Sequence, residues 1–437
     1  MAKYHFIGIK GSGMSALAQV VYDMGNEVQG TDQETYYFTQ KKLEERNIPM
    51  YLYGAEHIKE GFNVVLGNAF DETHPEYVRA KELGLKTYTY AELLGEIIGE
   101  NKSIAVTGAH GKTTTTTMMS NLFKNSYTTS YLIGDGTGIG HKTSDYFIAE
   151  ACEYRRHFLH YAPDFAVVTN IDFDHPDYFK DEMDMFDAFQ SFVNQVKDIV
   201  VYCGDDRLAS KLTSNKAKLV SYGENEGNDY RIKNITTDEQ FSTFDVYKKE
   251  VLLGTFNLPA FGPHNILNAT SAIALADING IEKEAIQKAL LTYISADRRF
   301  TEHKLGDLVV VDDYAHHPRE IKVTIEGAKS KYPNKKVVAI FQPHTYSRTK
   351  QFLHEFAESL TYADSAFLVP IFSSVREQND NSVKIEDLIN LVPGADLVAD
   401  EHDFNKLPTE NAVLLFMGAG NINKLCDKFI TTFQKKL

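Results

Sequence analysis

A glycine-rich turn between a short apolar run and a segment of helical length most constrains the fold of this 437-residue chain. The turn reads T-G-A-H-G-K-T-T over residues 107–114, and an apolar run at 104–106 leads into it. A strand, a glycine turn, a Lys-Thr pair and a helix in this order form a phosphate cradle, in which backbone N–H groups and the helix N-terminus face the anion. The turn therefore predicts a nucleotide bound at the end of a strand.

Two residues of this turn have side chains suited to phosphate chemistry. Lys112 is expected to reach the outer phosphates, and a following Thr hydroxyl can hold Mg²⁺. The usual loop has four residues between its glycines, whereas Gly108 and Gly111 have only two between them. The sequence thus carries a shortened variant, and the alternative interpretation is an ordinary glycine turn that caps a helix.

Composition narrows the class of protein. A net charge of −15 argues against a general nucleic-acid or anionic-membrane binder, because phosphate backbones and lipid headgroups attract basic surfaces. The three cysteines, Cys152, Cys203 and Cys426, are far apart and lack metal-site spacing, which favours reduced thiols. The N-terminus lacks the apolar core of a signal peptide, and no apolar stretch approaches the length of a membrane span. These features predict a cytoplasmic protein.

Short β-rich runs alternate with helical-length segments along most of the chain, a pattern typical of parallel α/β sheets. The alternation breaks over residues 230–258, where polar and apolar residues alternate as in an antiparallel patch. We place domain boundaries so that the domains comprise residues 1–99, 100–295 and 296–437. The predicted fold class is therefore α/β in three domains, with a parallel or mixed central sheet.

A second glycine turn opens the chain. Residues 11–16 fit G-x-G-x-x-A after a predicted strand, and Asp32 follows about twenty residues later. Glycines in such a turn admit a pyrophosphate, and the acid can accept a ribose hydroxyl. An NAD-dependent dehydrogenase, a UDP-sugar site and a turn without a ligand all fit this pattern. Two nucleotide-type turns in separate domains favour a transferase or ligase over an oxidoreductase.

Acidic and imidazole side chains follow the predicted strands of the second block. Glu150 ends one strand and His175 lies just past another, at the sheet edge where ligands of parallel sheets bind. With Thr113 or Thr114 they predict an oxygen-rich Mg²⁺ site. The remaining acids of that loop are interpreted as solvated groups or caps: Asp172, Asp174 and Asp177.

The third block repeats the arrangement. An apolar run at 309–311 leads into D-D-Y-A-H-H-P, and another at 337–340 leads into F-Q-P-H, with Arg348 four residues beyond His344. Arginine at a strand end is suited to bidentate binding of a carboxylate or phosphate. The paired histidines lack a third soft ligand at a familiar spacing, so we predict no zinc there. Arg298 and Arg299 form a basic hinge that either contacts phosphates or lies at the surface.

Eight segments in this order resemble the Mur ligases of peptidoglycan synthesis over essentially the whole chain. They are G-I-K-G-S-G-M-S-A-L-A, V-T-G-A-H-G-K-T-T-T, E-A-C-E-Y-R-R-H-F, T-N-I-D-F-D-H, G-P-H-N-I-L-N-A, R-R-F, D-D-Y-A-H-H-P-R-E and F-Q-P-H-T-Y-S-R-T. The resemblance implies an N-terminal Rossmann-like domain for a UDP-sugar, a central phosphate-loop ATPase domain and a C-terminal Rossmann-like domain that closes over the site.

The resemblance also assigns roles to the matching positions. ATP is assigned to Gly108, Ala109, His110, Gly111, Lys112, Thr113, Thr114, Asn268 and Asp313. Two Mg²⁺ ions are assigned to Thr113, Glu150 and His175. The UDP-sugar is assigned to Gly11, Ser12, Gly13, Met14, Asp32, His264 and Asn265. The incoming amino acid is assigned to Tyr314, His316, His344 and Arg348, with Arg348 on its carboxylate. The residues implied to act in catalysis are Lys112, Glu150, His175 and Arg348.

The implied reaction joins L-alanine to the lactyl carboxylate of UDP-N-acetylmuramate through an acyl phosphate, with ATP converted to ADP and phosphate. Within the family, G-I-K-G-S-G-M and E-Y-R-R-H-F look most like the L-alanine-adding member. Three alternatives stay open: a recycling ligase that adds a preformed tripeptide, an NAD-dependent dehydrogenase and a non-catalytic nucleotide sensor. No nucleic-acid or membrane partner is expected, and the chain is expected to be a monomer or a weak homo-oligomer.

Overall fold

A computed structural model describes residues 1–238, 240–296, 298–373 and 382–434. The described residues form three sheets of five, ten and six strands, each built from its own stretch of chain. Helices cover these sheets, and the middle sheet mixes parallel and antiparallel pairs. The predicted α/β fold is therefore confirmed. Within the same described residues, no helix is both long and apolar enough to cross a bilayer.

The first sheet is entirely parallel, in the order β3-β2-β1-β4-β5. Its strands are β1 (Lys3–Ile7), β2 (Glu27–Asp32), β3 (Met50–Leu52), β4 (Phe62–Leu66) and β5 (Thr87–Thr89). Its helices are α1 (Ser12–Asp23), α2 (Gln40–Glu44), α3 (Pro75–Glu82) and α4 (Tyr90–Glu100). The central strands β1 and β4 are mostly buried because helices lie on both faces of the sheet.

The second sheet has the order β15-β14-β13-β12-β11-β10-β6-β9-β7-β8. Its strands are β6 (Ser103–Thr107), β7 (Thr129–Ile133), β8 (Thr137–Ile139), β9 (Tyr146–Glu150), β10 (Phe165–Val168), β11 (Ile199–Cys203), β12 (Lys218–Gly223), β13 (Tyr230–Thr237), β14 (Ser242–Lys248) and β15 (Val251–Leu258). Its helices are α5 (Lys112–Lys124), α6 (Glu182–Val193), α7 (Pro263–Ile278) and α8 (Lys283–Leu291). Strands β13, β14 and β15 pair antiparallel, which confirms the patch predicted over residues 230–258.

The third sheet has the order β16-β17-β21-β18-β19-β20, and only β16 runs antiparallel to its neighbour. Its strands are β16 (Thr301–Leu305), β17 (Leu308–Asp313), β18 (Lys336–Phe341), β19 (Ser365–Leu368), β20 (Asp396–Leu397) and β21 (Ala412–Met417). Its helices are α9 (Pro318–Lys331), α10 (Tyr346–Gln351), α11 (Leu353–Leu360), α12 (Ile385–Ile389) and α13 (Ile422–Gln434).

The first and second sheets meet where α1 packs on β8 with almost no intervening side chain. A Cβ added at Gly138 would lie 2.0 Å from the Ala16 carbonyl oxygen, and one at Gly140 would lie 2.3 Å from that of Val20. Gln19 links the two elements through its Nε2, which donates to the Gly136 carbonyl at 2.9 Å. Glycine is required along this seam because any side chain would displace the helix.

Candidate active site

The glycine turn at 107–114 joins β6 to α5. Gly108 has φ +142° and Gly111 has φ +82°, and both values are unfavourable for residues with a Cβ. Space excludes a side chain as well, since a Cβ at Gly108 would lie 1.9 Å from Thr169 Oγ1. Because α5 starts at Lys112, the N–H groups of its first turn have no partner inside the helix. They lie at the helix end where the sequence predicts a bound anion.

A neighbouring strand end fixes the shape of this loop. Asn170, just after β10, accepts the Ala109 N–H at its backbone carbonyl at 3.1 Å. Its side chain accepts the His110 N–H at 2.9 Å and donates to the His110 carbonyl at 2.9 Å. Asn170 thus forms hydrogen bonds with the N–H groups of Ala109 and His110 and with the His110 carbonyl, and these bonds fix the loop conformation. Our sequence interpretation missed this residue, although the T-N pair after an apolar strand was a usable signal.

Oxygens of the loop and of Glu153 surround the Lys112 ammonium. It lies 2.6 Å from the Gly108 carbonyl, 3.0 Å from the Ala109 carbonyl and 2.9 Å from Glu153 Oε2. Burial alone would lower the pKa of Lys112, but Glu153, Cys152 and Glu150 outweigh it and raise that pKa. Lys112 is therefore a stored cation at the point where phosphate oxygens are expected.

Glu153 is the partner that holds this cation, and it was not among the predicted site residues. The residue is completely buried, and its carboxylate also lies 3.4 Å from Nε2 of His175. Desolvation would raise the pKa of Glu153, but Lys112 and His175 lower it below the ordinary value. Glu153 therefore brings Lys112 and His175 together on one charged group. The acid pair in E-A-C-E was the signal in the sequence.

Glu150 and Thr113 form an oxygen-rich pair at the ends of β9 and α5. Thr113 Oγ1 donates to Glu150 Oε2 at 2.9 Å, and the Gly134 N–H donates to the same oxygen at 3.0 Å. Burial raises the pKa of Glu150, and Lys112 and Thr113 oppose that rise. The Thr113 hydroxyl and the Glu150 carboxylate are oxygen ligands of the kind that a hard divalent cation such as Mg²⁺ prefers. Among the described residues, the acidic ion-pair partners of His175 are Glu153 and Asp174, and not Glu150.

His110 links the second and third sheets. Its Nε2 lies 3.1 Å from Asp172 Oδ2, and its Nδ1 lies 3.3 Å from Glu320 Oε1 on α9. Burial would lower the pKa of His110, but the two carboxylates outweigh it and raise the pKa to about 9. At neutral pH, His110 is therefore an imidazolium that joins two carboxylates from different domains.

A cavity of about 510 Å³ opens beside the phosphate loop, between the second and third sheets. It has the size expected of a small-molecule site. The predicted residues that line it are His110, Gly111, Thr114, His264, Asn265, Asn268 and Asp313. A Cβ at Gly111 would lie 2.7 Å from Asn268 Oδ1, so the loop and α7 are in direct contact. Burial lowers the pKa of His264 to about 4, so this imidazole is neutral at physiological pH.

The hinge between α8 and β16 contributes to the same cavity. Asp313 accepts the Phe300 N–H and the Ala315 N–H, each at 2.8 Å, and so fixes the hinge against β17. Arg298 donates to the Gly418 carbonyl at 2.7 Å and belongs to the third sheet. Arg299 lines the cavity, whereas Arg298 does not. Both guanidinium carbons lie over the Tyr314 ring, that of Arg298 at 5.1 Å and that of Arg299 at 5.3 Å from its centre.

The residues predicted for an amino acid lie close to one another and do not line the cavity. Arg348 is buried and donates to Asp174 Oδ1 through its Nε at 3.2 Å and an Nη at 2.9 Å. Desolvation opposes ionisation of Asp174, but Arg348 and then His175 lower its pKa well below the ordinary value. The His316 ring lies 5.3 Å from Tyr314 and 6.3 Å from His344. Burial lowers the pKa values of His316 and His344 to about 4 and about 3.

Asp172 and Asp174 differ from the solvated acids or caps that we expected. Asp172 carries the His110 contact, and Asp174 is buried against Arg348 from the third sheet. Their partners lie 62 and 174 residues away in the chain. Sequence spacing held no signal for these pairs. Asp177 accepts the Tyr154 hydroxyl at 2.6 Å and is exposed.

The first glycine turn lies at the start of α1. Asp32 accepts the Lys10 N–H at 2.7 Å and the Gln33 N–H at 2.8 Å, so backbone donors occupy both carboxylate oxygens. Gly11 and Ser12 are exposed, whereas the Met14 side chain is buried in the core. A Cβ at Gly13 would lie 3.1 Å from the Tyr90 ring. Burial raises the pKa of Tyr90, so its hydroxyl stays protonated beside the Gly13 turn.

The geometry therefore assembles a candidate phosphate-binding site on an α/β scaffold. A caged lysine, a hydroxyl–carboxylate pair and a nucleotide-sized cavity lie at the carboxyl ends of β10, β6 and β9. Comparison with known families gives three consecutive matches: Mur ligase family, catalytic domain, over residues 3–102; Mur ligase middle domain over 106–276; and Mur ligase, glutamate ligase domain, over 298–420. The chain belongs to the Mur ligase family, a group of ATP-dependent ligases of peptidoglycan synthesis.

Solved structures agree with this assignment. UDP-N-acetylmuramate-alanine ligase MurC from Thermotoga maritima is 26% identical, with a TM-score of 0.83 and 100% of both chains covered. A murein peptide ligase from Psychrobacter arcticus is 22% identical, with a TM-score of 0.71 and 99% of both chains covered. MurF ligase from Thermotoga maritima in complex with ADP is 18% identical, with a TM-score of 0.70 over 88% of this chain and 97% of that one. The last two show the fold alone, and the family membership leaves the dehydrogenase alternative without support.

Proposed function

We propose that this protein joins L-alanine to the lactyl carboxylate of UDP-N-acetylmuramate, with ATP converted to ADP and phosphate. Lys112 carries the proposal, because a half-buried cation held by Glu153 and two loop carbonyls is placed to exchange those oxygens for phosphate oxygens. The full-length similarity to the Thermotoga maritima MurC favours alanine as the amino acid.

The proposed reaction has two steps. The carboxylate of the sugar nucleotide attacks the γ-phosphate of ATP to give an acyl phosphate and ADP, and the amine of alanine then displaces phosphate through a tetrahedral intermediate. Phosphoryl transfer depends mainly on positioning and charge neutralisation. The N–H groups that begin α5 and the Lys112 ammonium supply both. Thr113 and Glu150, with His175 nearby, are proposed to hold Mg²⁺, which would neutralise phosphate charge when bound.

Binding of the amino acid would require Arg348 to change its hydrogen-bond partner. Its guanidinium now binds Asp174, so binding the carboxylate of alanine would require Arg348 to share or release this partner. His316 and His344 are neutral at physiological pH because burial lowers their pKa values. A neutral imidazole can accept a hydrogen bond from the incoming amine. We therefore propose that these residues bind the amino acid.

The nucleoside is proposed to occupy the cavity between the second and third sheets, against His264, Asn268 and Asp313. The first glycine turn, beside Tyr90, is proposed to receive the UDP-sugar. Closure of the third sheet over this space would keep water from the acyl phosphate. The contact of His110 with Glu320 on α9 already spans the two bodies that would close.

Phosphate release from ATP and Mg²⁺ tests the proposal. We expect release that requires both UDP-N-acetylmuramate and L-alanine. Release only with L-alanyl-γ-D-glutamyl-meso-diaminopimelate would instead identify a recycling ligase, the activity named for a structural neighbour from Neisseria. If neither acceptor gives phosphate release, both assignments are rejected.

A further inference from the structure

Two consecutive arginines after Glu153 adopt an unfavourable backbone. Arg155 has φ 51° and ψ 23°, and Arg156 has φ 59° and ψ 29°. A left-handed residue with a Cβ costs on the order of 1–2 kcal/mol. Such strain persists only where surrounding contacts enforce it, and it concentrates at functional sites. The bend lies within three residues of Glu153, the carboxylate that holds Lys112, so it is close to the candidate active site.

The side chain of Arg156 explains one half of the bend. Its guanidinium donates to Asp184 Oδ1 at 2.5 Å and lies 5.5 Å from the Phe179 ring centre. Asp184 is in the first turn of α6, so this ion pair ties the bent segment to that helix. Arg156 is therefore a structural residue.

Arg155 differs from its neighbour in every contact. Its side chain is exposed, and its guanidinium carbon lies 5.5 Å from the centre of the Tyr154 ring. It forms no ion pair or hydrogen bond with any residue that the structure describes. A guanidinium held against an aromatic face keeps its N–H donors directed outward, ready for a planar anion. The left-handed backbone thus presents an unpaired cation to solvent.

The position of Arg155 indicates which anion it meets. The Tyr154 ring lies 4.5 Å from the His175 ring, and His175 contacts the Glu153 carboxylate that holds Lys112. Neither Tyr154 nor Arg155 lines the nucleotide-sized cavity. In-line phosphoryl transfer places the attacking group opposite the leaving nucleotide. The segment is therefore suited to the attacking substrate rather than to ATP.

We propose that Arg155 binds an oxyanion of the sugar-nucleotide substrate, either its lactyl carboxylate or its diphosphate. This inference rests on the proposed function. Arg156 anchors the segment to α6, Tyr154 supports the guanidinium, and the strained backbone separates the two arginine side chains. Arg155 is thereby a substrate-binding residue for the acid-bearing substrate.

Calorimetric binding to the full-length protein tests the proposal with Arg155→Gln. We expect UDP-N-acetylmuramate to bind at least about tenfold more weakly, since a hydrogen bond to a charged group is lost. A non-hydrolysable ATP analogue should bind within about twofold of wild type. Lys180→Gln, which removes an exposed cation from the same region, is the matched control and should change neither affinity.

UDP-N-acetylglucosamine distinguishes the two oxyanions because it has the diphosphate and lacks the lactyl carboxylate. Equal weakening of both sugars by Arg155→Gln assigns Arg155 to the diphosphate, and weakening of the acid-bearing sugar alone assigns it to the carboxylate. Unchanged sugar affinity, or equal loss for the ATP analogue, overturns the proposal. A wild type that binds the sugars but releases no phosphate contradicts only the proposed function, and a wild type that binds neither sugar contradicts both.

Discussion

The two glycine turns of this protein have similar sequences and opposite construction. The turn at 108–111 has two glycines with positive φ, and the half-buried Lys112 that follows it is held by Glu153. In the turn at 11–13 the glycines keep ordinary backbone angles, and the Lys10 ammonium donates to the Gln33 and Thr35 carbonyls. The turn at 108–111 holds a cation for phosphates, whereas the turn at 11–13 fixes the conformation of its own neighbouring loop. Their difference teaches that glycine spacing alone does not identify where the chemistry occurs.

Replacing the lysine of each turn separately, Lys112 and Lys10, is the strongest test of this contrast. We expect Lys112→Ala to reduce ADP formation about 10³-fold, as loss of a group that stabilises transferred charge does. UDP-sugar binding should remain nearly intact. Lys124→Ala, in the last turn of the same helix, is the control and should keep full activity. Retained ADP release in Lys112→Ala would contradict the assignment of the phosphate loop.

Lys10→Ala should act on the other ligand. Loss of its two hydrogen bonds loosens residues 33–35 and should weaken UDP-sugar binding about tenfold, without a change in the affinity for ATP. Isothermal titration with each ligand separates the two effects. An equal loss for ATP would show that the two turns are not independent.

The pH dependence of stability distinguishes the phosphate loop from the rest of the chain. The pKa of His110 is about 9 in the folded protein and 6.5 when unperturbed, so its contribution is complete below pH 6.5 and is lost as pH rises through about 9. The loss should be about 3 kcal/mol of unfolding free energy. Urea unfolding between pH 6 and 10 measures it.

His110→Gln should remove this part of the pH dependence, and His141→Gln, at an exposed position, should keep it. Identical pH profiles for wild type and His110→Gln would show that His110 does not hold its proton between Asp172 and Glu320.

Replacing one glycine of each turn by alanine should give a smaller difference between the two turns than replacing their lysines. Gly111→Ala adds about 1–2 kcal/mol of left-handed strain and a contact with Asn268, so ATP turnover should fall at least tenfold. Gly13→Ala meets only the Tyr90 ring at 3.1 Å and should raise the Michaelis constant for the UDP-sugar a few-fold. Gly99→Ala, in open space on α4, should leave both constants unchanged. A larger effect at Gly13 than at Gly111 would reverse the comparison.

The sequence predicted the elements that local patterns define. The three-block α/β fold, the antiparallel patch and the helix after Gly111 follow from hydrophobic alternation and glycine placement.

The charged partners were harder to predict. Asp174 meets Arg348 across 174 residues, and no local pattern encodes that distance. The predicted Glu150 and Thr113 lie together as expected for a cation site, whereas the buried Glu153 takes the place beside His175 that we had given to Glu150. Burial, which decides such pairings, becomes visible only after the sheets are assembled.

The glycine seam between α1 and β8 has a consequence for how this protein can evolve. Gly138 and Gly140 touch backbone atoms of the helix, so there is no side chain whose rotamer could absorb a change. A substitution there would tilt α1 and move the turn at Gly11 with it. Divergence at this seam therefore demands compensating pairs of substitutions, and single variants should be purged even though the seam contains no residue of the phosphate loop.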